Sequence, residues 1–509
     1  MKNVSTIACI AAALVPSVLR AAEGELVARP LGSTDAPYGH LEYVPPGYAE
    51  DGVKHPVVLF LHGVGESGDG VTNLEGPMKA HGPGKLIDQG STYFAEQGAL
   101  VFMPQTPVWW DANTIHAFLG YVAANFRVDP RRVYVTGLSM GGGGTWSYAS
   151  SHPGRAAAIL PICGAADPGD ATALVDVPVW AFHAWGDPTV PRTNSIGWVD
   201  HIADATSGVD APAVLGGYPH VDGNEGDPAA TDMTASFDGT AFAWTEGAEV
   251  SNASTLRLTL YPDGSHDSWT RTYEAPAHWD WLVEQVEPTA LDDDTYIVDN
   301  LDEGATFTGE WTRSEAVPGF YWWDVHERAA GPDTSASFST PLPPAIYEVY
   351  VSWTAGPDRA QVTAQIDGAL EAPPATTLDM TQGGGFTSLG QLTFDGGTGT
   401  VTLAGAEGAT GLVIADAVGF VRRADLPGLD SSGGVDDSGD VDSGGAEATD
   451  DVPGGDVTGD GDATATTEGT GGAAQDDDAG GCGCTATPGG GAWWAIVGVA
   501  LRRRRRQSS

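Results

Sequence analysis

Cysteine is scarce, with four in 509 residues. Cys9 falls in an apolar leader and Cys482 and Cys484 in the extreme tail. Cys163 therefore stands by itself in the rest of the chain, and no disulfide can staple that part. Basic charge is short too: 23 Lys and Arg face 68 Asp and Glu, for a net charge of −45. Such a chain repels nucleic acid and anionic lipid surfaces, and no basic groove stands out. Long apolar runs are missing. Ala492 to Leu501 offers about ten apolar residues, where a membrane-crossing helix needs about 20. Residues 424–481 hold 16 acidic residues, no Lys or Arg and no aromatic. That stretch buries too little apolar surface to order itself, and its own charge extends it. Its "DVTGDGD" lacks the ligand spacing and closing Glu of an EF-hand loop, so a solvated spacer over 424–480 is expected, with no metal.

Both ends read as addresses. Lys2, the apolar "VSTIACIAAALVPSVL" and the small residues of "RAAEGEL" make 1–22 a secretory signal peptide cleaved near Ala22. At the other end come a cysteine pair, a short apolar run and Arg502 to Arg506, which would halt translocation. That order resembles the tripartite MYXO-CTERM sorting signal. The resemblance implies that a sorting protease acts on 481–509 near Cys482 or Cys484 and that the protein is secreted and retained at the cell surface.

Between these ends lie two blocks. In 26–288, "PVVLFLH", "ALVFMP", "RVYVTG", "AAILPIC", "PVWAFHA" and "LRLTLYP" are short apolar strand runs. Ile115, Phe118, Leu119, Val122 and Phe126 recur at helical spacing, as do Trp279, Leu282, Val283 and Val286. The alternation predicts an α/β domain: a mostly parallel sheet with helices on both faces. In 292–423, "AIYEVYVSW", "AQVTAQIDG", "FTSLGQLTF" and "GTVTLAGA" predict an all-β sandwich. Only about Glu287 to Asp294 separates the two, so a short tether is expected.

Chemistry concentrates in "RVYVTGLSMGGGGTW". Gly137-Leu138-Ser139-Met140-Gly141 is G-x-S-x-G between a strand and a helical stretch, the setting of a nucleophile elbow. A serine hydroxyl needs a base and an acid that orients the base. The chain order Ser, Asp, His is met by Ser139, then Asp187 in "FHAWGDPTVP", then His266 in "YPDGSHDSW". His183 and Asp267 are the competitors, expected to bond locally and to point away. An oxyanion hole needs two backbone N–H groups. Met140 is expected to give one, and Val64, with Gly65 second, the other from the loop after "VVLFLHG".

The first block, through "LFLHGVGESG", "MPQTPVWW", "FRVDPRRVYVTGLSMGG", "HPGRAAAILPICG", "FHAWGDPTVP" and "YPDGSHDSW", resembles secreted α/β-hydrolases of the polyhydroxybutyrate-depolymerase-like and feruloyl-type esterases, the predicted-peptidase group. The resemblance implies the triad Ser139, Asp187 and His266. It places Gln105, Trp109 and Trp110 near the cleft mouth as substrate contacts. Seventy-eight residues lie between Asp187 and His266, and the polar stretch 208–254 among them is a candidate cap. The second block, through "YIVDNLDEGATFTGEWTRSEAVPGFYW", "IYEVYVSW", "LDMTQGGGFTSLGQLTF" and "GLVIADAVGFVR", resembles the golvesin or xanthan-lyase C-terminal type of accessory domain. That implies a glycan partner, with Trp311, Tyr321, Trp322 and Trp323 as stacking candidates. The expected activity is a cofactor-free serine esterase acting on an ester or acylated polymer. The alternatives are a peptidase or polyhydroxyalkanoate depolymerase with the same triad, and a surface adhesin with an inactive hydrolase domain.

Overall fold

The computed structural model describes residues 23–426, apart from 170, 248–253, 288–290, 292–294 and 407. The expected leader 1–22, nearly all of the acidic stretch 424–480 and the whole expected sorting signal 481–509 lie outside the described residues. Among those described, no helix is long and apolar enough to cross a membrane.

Ten strands build one mixed sheet. They are β1 (Leu26–Arg29), β2 (Gly39–Tyr43), β3 (His55–Leu61), β4 (Leu100–Gln105), β5 (Val128–Leu138), β6 (Ala158–Ile162), β7 (Val179–Ala184), β8 (Met233–Phe237), β9 (Phe242–Glu246) and β10 (Leu256–Tyr261). Their order across the sheet is β1-β2-β4-β3-β5-β6-β7-β10-β8-β9. From β4 to β10 every neighbouring pair is parallel, and antiparallel strands flank this block on both edges. Each central strand feeds both faces. In β3, Val57, Leu59 and Leu61 join one apolar cluster, and Val58 and Phe60 join the other. The first cluster is closed by the helices Ala112–Asn125, Met140–Ser151 and Thr193–Ser207, the second by Pro276–Glu284. Strands buried on both faces explain why the sequence shows continuous apolar runs there rather than alternation. This is the α/β-hydrolase arrangement.

Two helix edges differ from the apolar spacing. Phe126 is buried but extended, just past its helix, because the chain turns there into β5. Val286 lies beyond Pro276–Glu284 and is exposed. Of the candidate cap 208–254, residues 208–247 and 254 are among those described. β8 and β9 form a hairpin that extends the sheet past β10. The preceding turns pack on the loop after β7: Tyr218 stacks on Trp185 at 4.8 Å, and Trp185 Nε1 donates to Gly226 O at 3.3 Å.

The second unit is antiparallel throughout its named sheets. Thr295–Asp299, Ala417–Asp425, Ala345–Ser352 and Thr387–Phe394 make a four-stranded sheet. A five-stranded sheet of Ala305–Thr308, Ser335–Leu342, Gly397–Gly405, Gln361–Asp367 and Thr376–Asp379 completes the sandwich. Alternate residues such as Tyr347, Val349 and Val351 meet Val362, Ala364, Val401 and Leu403 in a shared core.

The sandwich does not hang on a tether. Trp323 is buried within a core cluster of the α/β unit. Its ring stacks on His116 at 4.3 Å, and His116 stacks in turn on His152 at 4.2 Å. Trp323 also lies so close to Gly120 that a Cβ there would fall 2.8 Å from the indole nitrogen. Lys54 Nζ binds Asp302 at 2.7 Å, and His116 Nε2 pairs with Glu315 at 2.9 Å. Lys54 precedes β3 and Arg155 precedes β6, so the sandwich covers the amino ends of the parallel strands.

Candidate active site

The loops that matter leave the opposite, carboxyl ends of the same strands. β5 runs into the helix Met140–Ser151 through Ser139, whose φ of 54° and ψ of −114° are costly for a residue with a side chain. Such a residue stores about 1–3 kcal/mol of strain, held only because its surroundings fix it. The flanking glycines are required by close approach. A Cβ on Gly141 would lie 1.9 Å from Leu61 O, and one on Gly137 would lie 2.4 Å from Gly141 O. The end of β3 thus abuts the elbow directly.

Asp187 follows β7 and His266 follows β10, neighbouring strands that are paired in parallel. His266 Nδ1 sits 2.7 Å from Asp187 Oδ2, and His266 Nε2 sits 2.8 Å from Ser139 Oγ. Because the carboxylate can only accept, Nδ1 carries the proton and Nε2 is free to accept from the hydroxyl. Burial alone would raise the Asp187 pKa. Hydrogen bonds from His183, His266 and the Val190 and Thr189 N–H groups outweigh it and hold the carboxyl well below its ordinary range. Asp187 is therefore a fixed anion beside the imidazole.

The competitors act locally. His183 is fully buried, with Nδ1 2.8 Å from Ser195 Oγ and Nε2 3.0 Å from Val190 O, and it steadies Asp187 from behind. Asp267 turns outward to cap Thr270, at 2.9 Å from both its N–H and its hydroxyl.

Met140 opens the helix after the nucleophile, and Val64 opens a short turn after β3. Their N–H groups have no acceptor among the described residues. The preceding N–H, that of Gly63, is already spent: it donates to Glu66 Oε2 at 3.0 Å. Burial raises the Glu66 carboxyl above its usual range.

Two of the three expected substrate contacts are placed differently. Gln105 is 2% exposed and turned inward, accepting from Gly70 N and donating to Glu66 O and Asn73 O. Its amide satisfies three backbone groups of the loop that follows β3, so it clamps that loop instead of meeting solvent. Trp110 is also buried: its indole N–H donates to His62 O at 3.0 Å, and its ring covers Gly144 of the elbow helix. Trp109 alone of the three is open, 63% exposed.

His62 was not singled out by its sequence position. Its Nδ1–H donates to Gly63 O at 2.6 Å, and its Nε2 accepts from Thr106 N at 3.0 Å. Burial depresses its pKa to about 4, so it remains a neutral strut between the two loops. Cys163, the other positive-φ non-glycine residue, lies beneath the triad. Its sulfur, with one donor atom each from Asp187 and His266, makes a set within 4.8 Å. Burial pushes the thiol up to about 12, and Asp187 and His266 are hydrogen-bonded to each other.

Of the four aromatics expected to stack on a glycan, Trp323 is the wedge into the α/β unit, and Trp322 packs against the same cluster. Trp311 packs on Phe307 at 5.4 Å and bonds Thr308 O. Tyr321 stands on the seam, its N–H bound to the Asp416 carboxyl. None of the four is an exposed platform: Trp323 is buried, and Trp311, Tyr321 and Trp322 are half-buried, the latter two lining the cleft at the seam.

Residues 296–422 match the Golvesin C-terminal domain. A xanthan lyase of Bacillus sp. (strain GL1) is 34% identical over 144 residues, 27% of this chain. The chain spans only 16% of that relative's length. Among solved structures, a thermostable esterase is 25% identical over 52% of this chain and 63% of its own, with a TM-score of 0.38. An acetyl xylan esterase from Aspergillus awamori is 16% identical over 51% of this chain and 99% of its own, with a TM-score of 0.33. Likenesses at that level do not assign roles to residues.

Proposed function

We propose that the protein is a serine carboxylic-ester hydrolase. One observation carries the reading: the continuous bond line from Asp187 Oδ2 through His266 to Ser139 Oγ, at 2.7 and 2.8 Å, on a strained elbow. His266 takes the Ser139 proton as Oγ attacks the ester carbonyl. Asp187 holds the imidazole's orientation and stabilises its cation. The Met140 and Val64 N–H groups receive the developing oxyanion. The proton on His266 then goes to the departing alcohol. Water, activated by the same imidazole, hydrolyses the acyl-enzyme. Trp109 and Val64, both open on the loops that follow β4 and β3, favour an ester whose acyl or alcohol part is apolar or aromatic. An acylated polysaccharide or a polyester fits an enzyme that is exported through its leader and held at the surface by its tail.

A fluorophosphonate probe should label Ser139 alone, located by peptide mass spectrometry. A panel of acetyl, feruloyl, butyryl and hydroxybutyrate esters with a peptide anilide beside them should show ester turnover and little amide turnover. Absence of labelling would end the serine-hydrolase reading. For the address, surface-extracted protein should end near Cys482 or Cys484; intact Arg502–Arg506 on that form would remove the processing step.

A further inference from the structure

A cleft of about 460 Å³ runs along the seam between the hydrolase and the sandwich. The hydrolase side supplies Arg155 and Glu287; the sandwich supplies Phe320, Tyr321, Trp322 and Phe386. Neither unit holds the full set.

Arg155 is the informative group. In a chain with 68 acids to 23 bases, an arginine finds a carboxylate readily. Yet Arg155 makes no ion pair among the described residues. One nitrogen donates to Trp323 O at 3.2 Å, and the guanidinium carbon lies 4.9 Å from the centre of the Phe320 ring and 5.1 Å from that of Trp323. Aromatic faces hold the cation in place while its other N–H groups, on a half-buried side chain, remain unspent.

Glu287 is equally fixed and equally unspent. Its N–H donates to Arg131 O at 2.9 Å, and its carbonyl accepts from Arg131 Nε at 3.0 Å. Its carboxyl has no hydrogen-bond partner among the described residues. Burial, with a smaller push from Asp176, holds that carboxyl above its ordinary range. The rings are fixed too. Tyr321 N–H is tied to Asp416, and Phe386 meets Tyr321 edge to face at 5.4 Å.

An aromatic wall beside two unspent polar groups suits a pyranose, which presents a C–H face and a rim of hydroxyls. The guanidinium, which Glu315, Asp324 and Asp299 attract without pairing with it, adds a preference for negative charge. We propose that the seam cleft binds an oligosaccharide containing a uronic acid, its ring against Phe320, Trp322 and Phe386 and its carboxylate on Arg155. Glu287 bonds a hydroxyl of the same residue. The choice of a polysaccharide ligand rests on the esterase reading above; the cleft itself does not. Because the cleft lies toward the amino ends of the strands, the bound sugar holds the enzyme to a polymer with Ser139 facing away from that contact.

Calorimetric titration of the intact protein with oligogalacturonate, beside a neutral xylo-oligosaccharide of equal length, tests this. The acidic ligand should bind at least tenfold more tightly. Arg155→Gln and Phe386→Ala should each weaken it at least tenfold, with nitrophenyl acetate hydrolysis unchanged. Arg155→Gln also loses the bond to Trp323 O, so its melting is recorded; Phe386→Ala leaves the Trp323 wedge in place and decides the matter if the first variant is unstable. No binding of oligogalacturonate, equal affinity for the neutral ligand, or binding that survives both substitutions overturns the proposal. A protein that binds oligogalacturonate through these residues but cleaves no ester would remove the esterase reading and leave the cleft standing.

Discussion

At the carboxyl ends of β3 and β5, the Val64 and Met140 N–H groups have no acceptor among the described residues, and the Ser139 hydroxyl is bonded only to an imidazole. At the amino ends of β3 and β6, Lys54 and Arg155 are tied to Asp302 and to the carbonyl of Trp323. The same parallel strands thus finish at one end in the Ser139–His266 pair with its unspent N–H groups, and at the other in a packed seam that leaves only Arg155 and Glu287 with bonds to spare among the groups described there. Parallel strands direct all their carboxyl-end loops to one edge, which collects reactive groups from distant sequence positions. The other edge is free to be covered, and here a second unit covers it. Stability and chemistry are separated along one axis, so damage at either end should read out differently.

Ser139→Ala tests the chemical end and should have the largest effect. Nitrophenyl ester hydrolysis should fall by about 10⁴-fold or more, because triad members act as a unit. The thermal midpoint should hardly move, since the small elbow side chain adds little packing. Retention of most activity would break the comparison at its chemical end.

Trp323→Ala tests the packed end. It empties a ring-sized space between Gly120, His116 and Arg155. A loss of about 3–5 kcal/mol in urea denaturation is expected, with kcat/KM per folded molecule nearly unchanged. Removing 292–423 altogether should be worse for the α/β unit than a severed tether would be, because Trp323 belongs to its core. Equal loss of activity and stability would mean that the two ends are coupled through the sheet.

The pH dependence of the sandwich gives a smaller effect. Burial lifts the Asp416 carboxyl to about 7, against the Ser352 hydroxyl and Tyr321 N–H that favour the charged form. A folded pKa above the unfolded value of roughly 4 means that the native state keeps a proton which the unfolded chain releases. This contribution is fully present below that unfolded value. It is lost as pH rises toward 7, at up to about 1.4 kcal/mol per unit. Melting between pH 5 and pH 8 should show the fall, and Asp416→Asn should flatten it while the pH profile of ester hydrolysis is unaltered.

Trp109→Ala should have the smallest effect. KM for an aromatic ester should rise severalfold, about 1 kcal/mol, with kcat close to wild type. An acetyl ester should be indifferent. A fall in kcat on both would mean that Trp109 supports the Trp110–His62 contact instead of touching substrate.

Much of the chemical end was legible because its signals are local. Ser139 announces itself through flanking glycines after an apolar strand, and the chain order of Asp187 and His266 follows from strand-to-loop spacing. Gln105 and Trp110 were misplaced for a physical reason: polar or amphipathic side chains near a cleft look alike in sequence whether they face solvent or satisfy buried backbone groups. Only the three partners of the Gln105 amide distinguish the two. His62 carried no signal of its own, since a histidine ending a strand has no periodicity to betray it.

The sequence by itself determined the class of each block, the elbow, and the order of the residues brought to it, because apolar periodicity and turn chemistry act over a few residues. Only the tertiary structure decided where the aromatics of 311–323 spend their surface, that part of 208–254 extends the sheet, and that Arg155 and Glu287 meet Phe320 and Phe386 across a seam. Those outcomes depend on contacts between segments far apart in the chain. Such contacts are set by the shapes of finished surfaces, which no local pattern encodes.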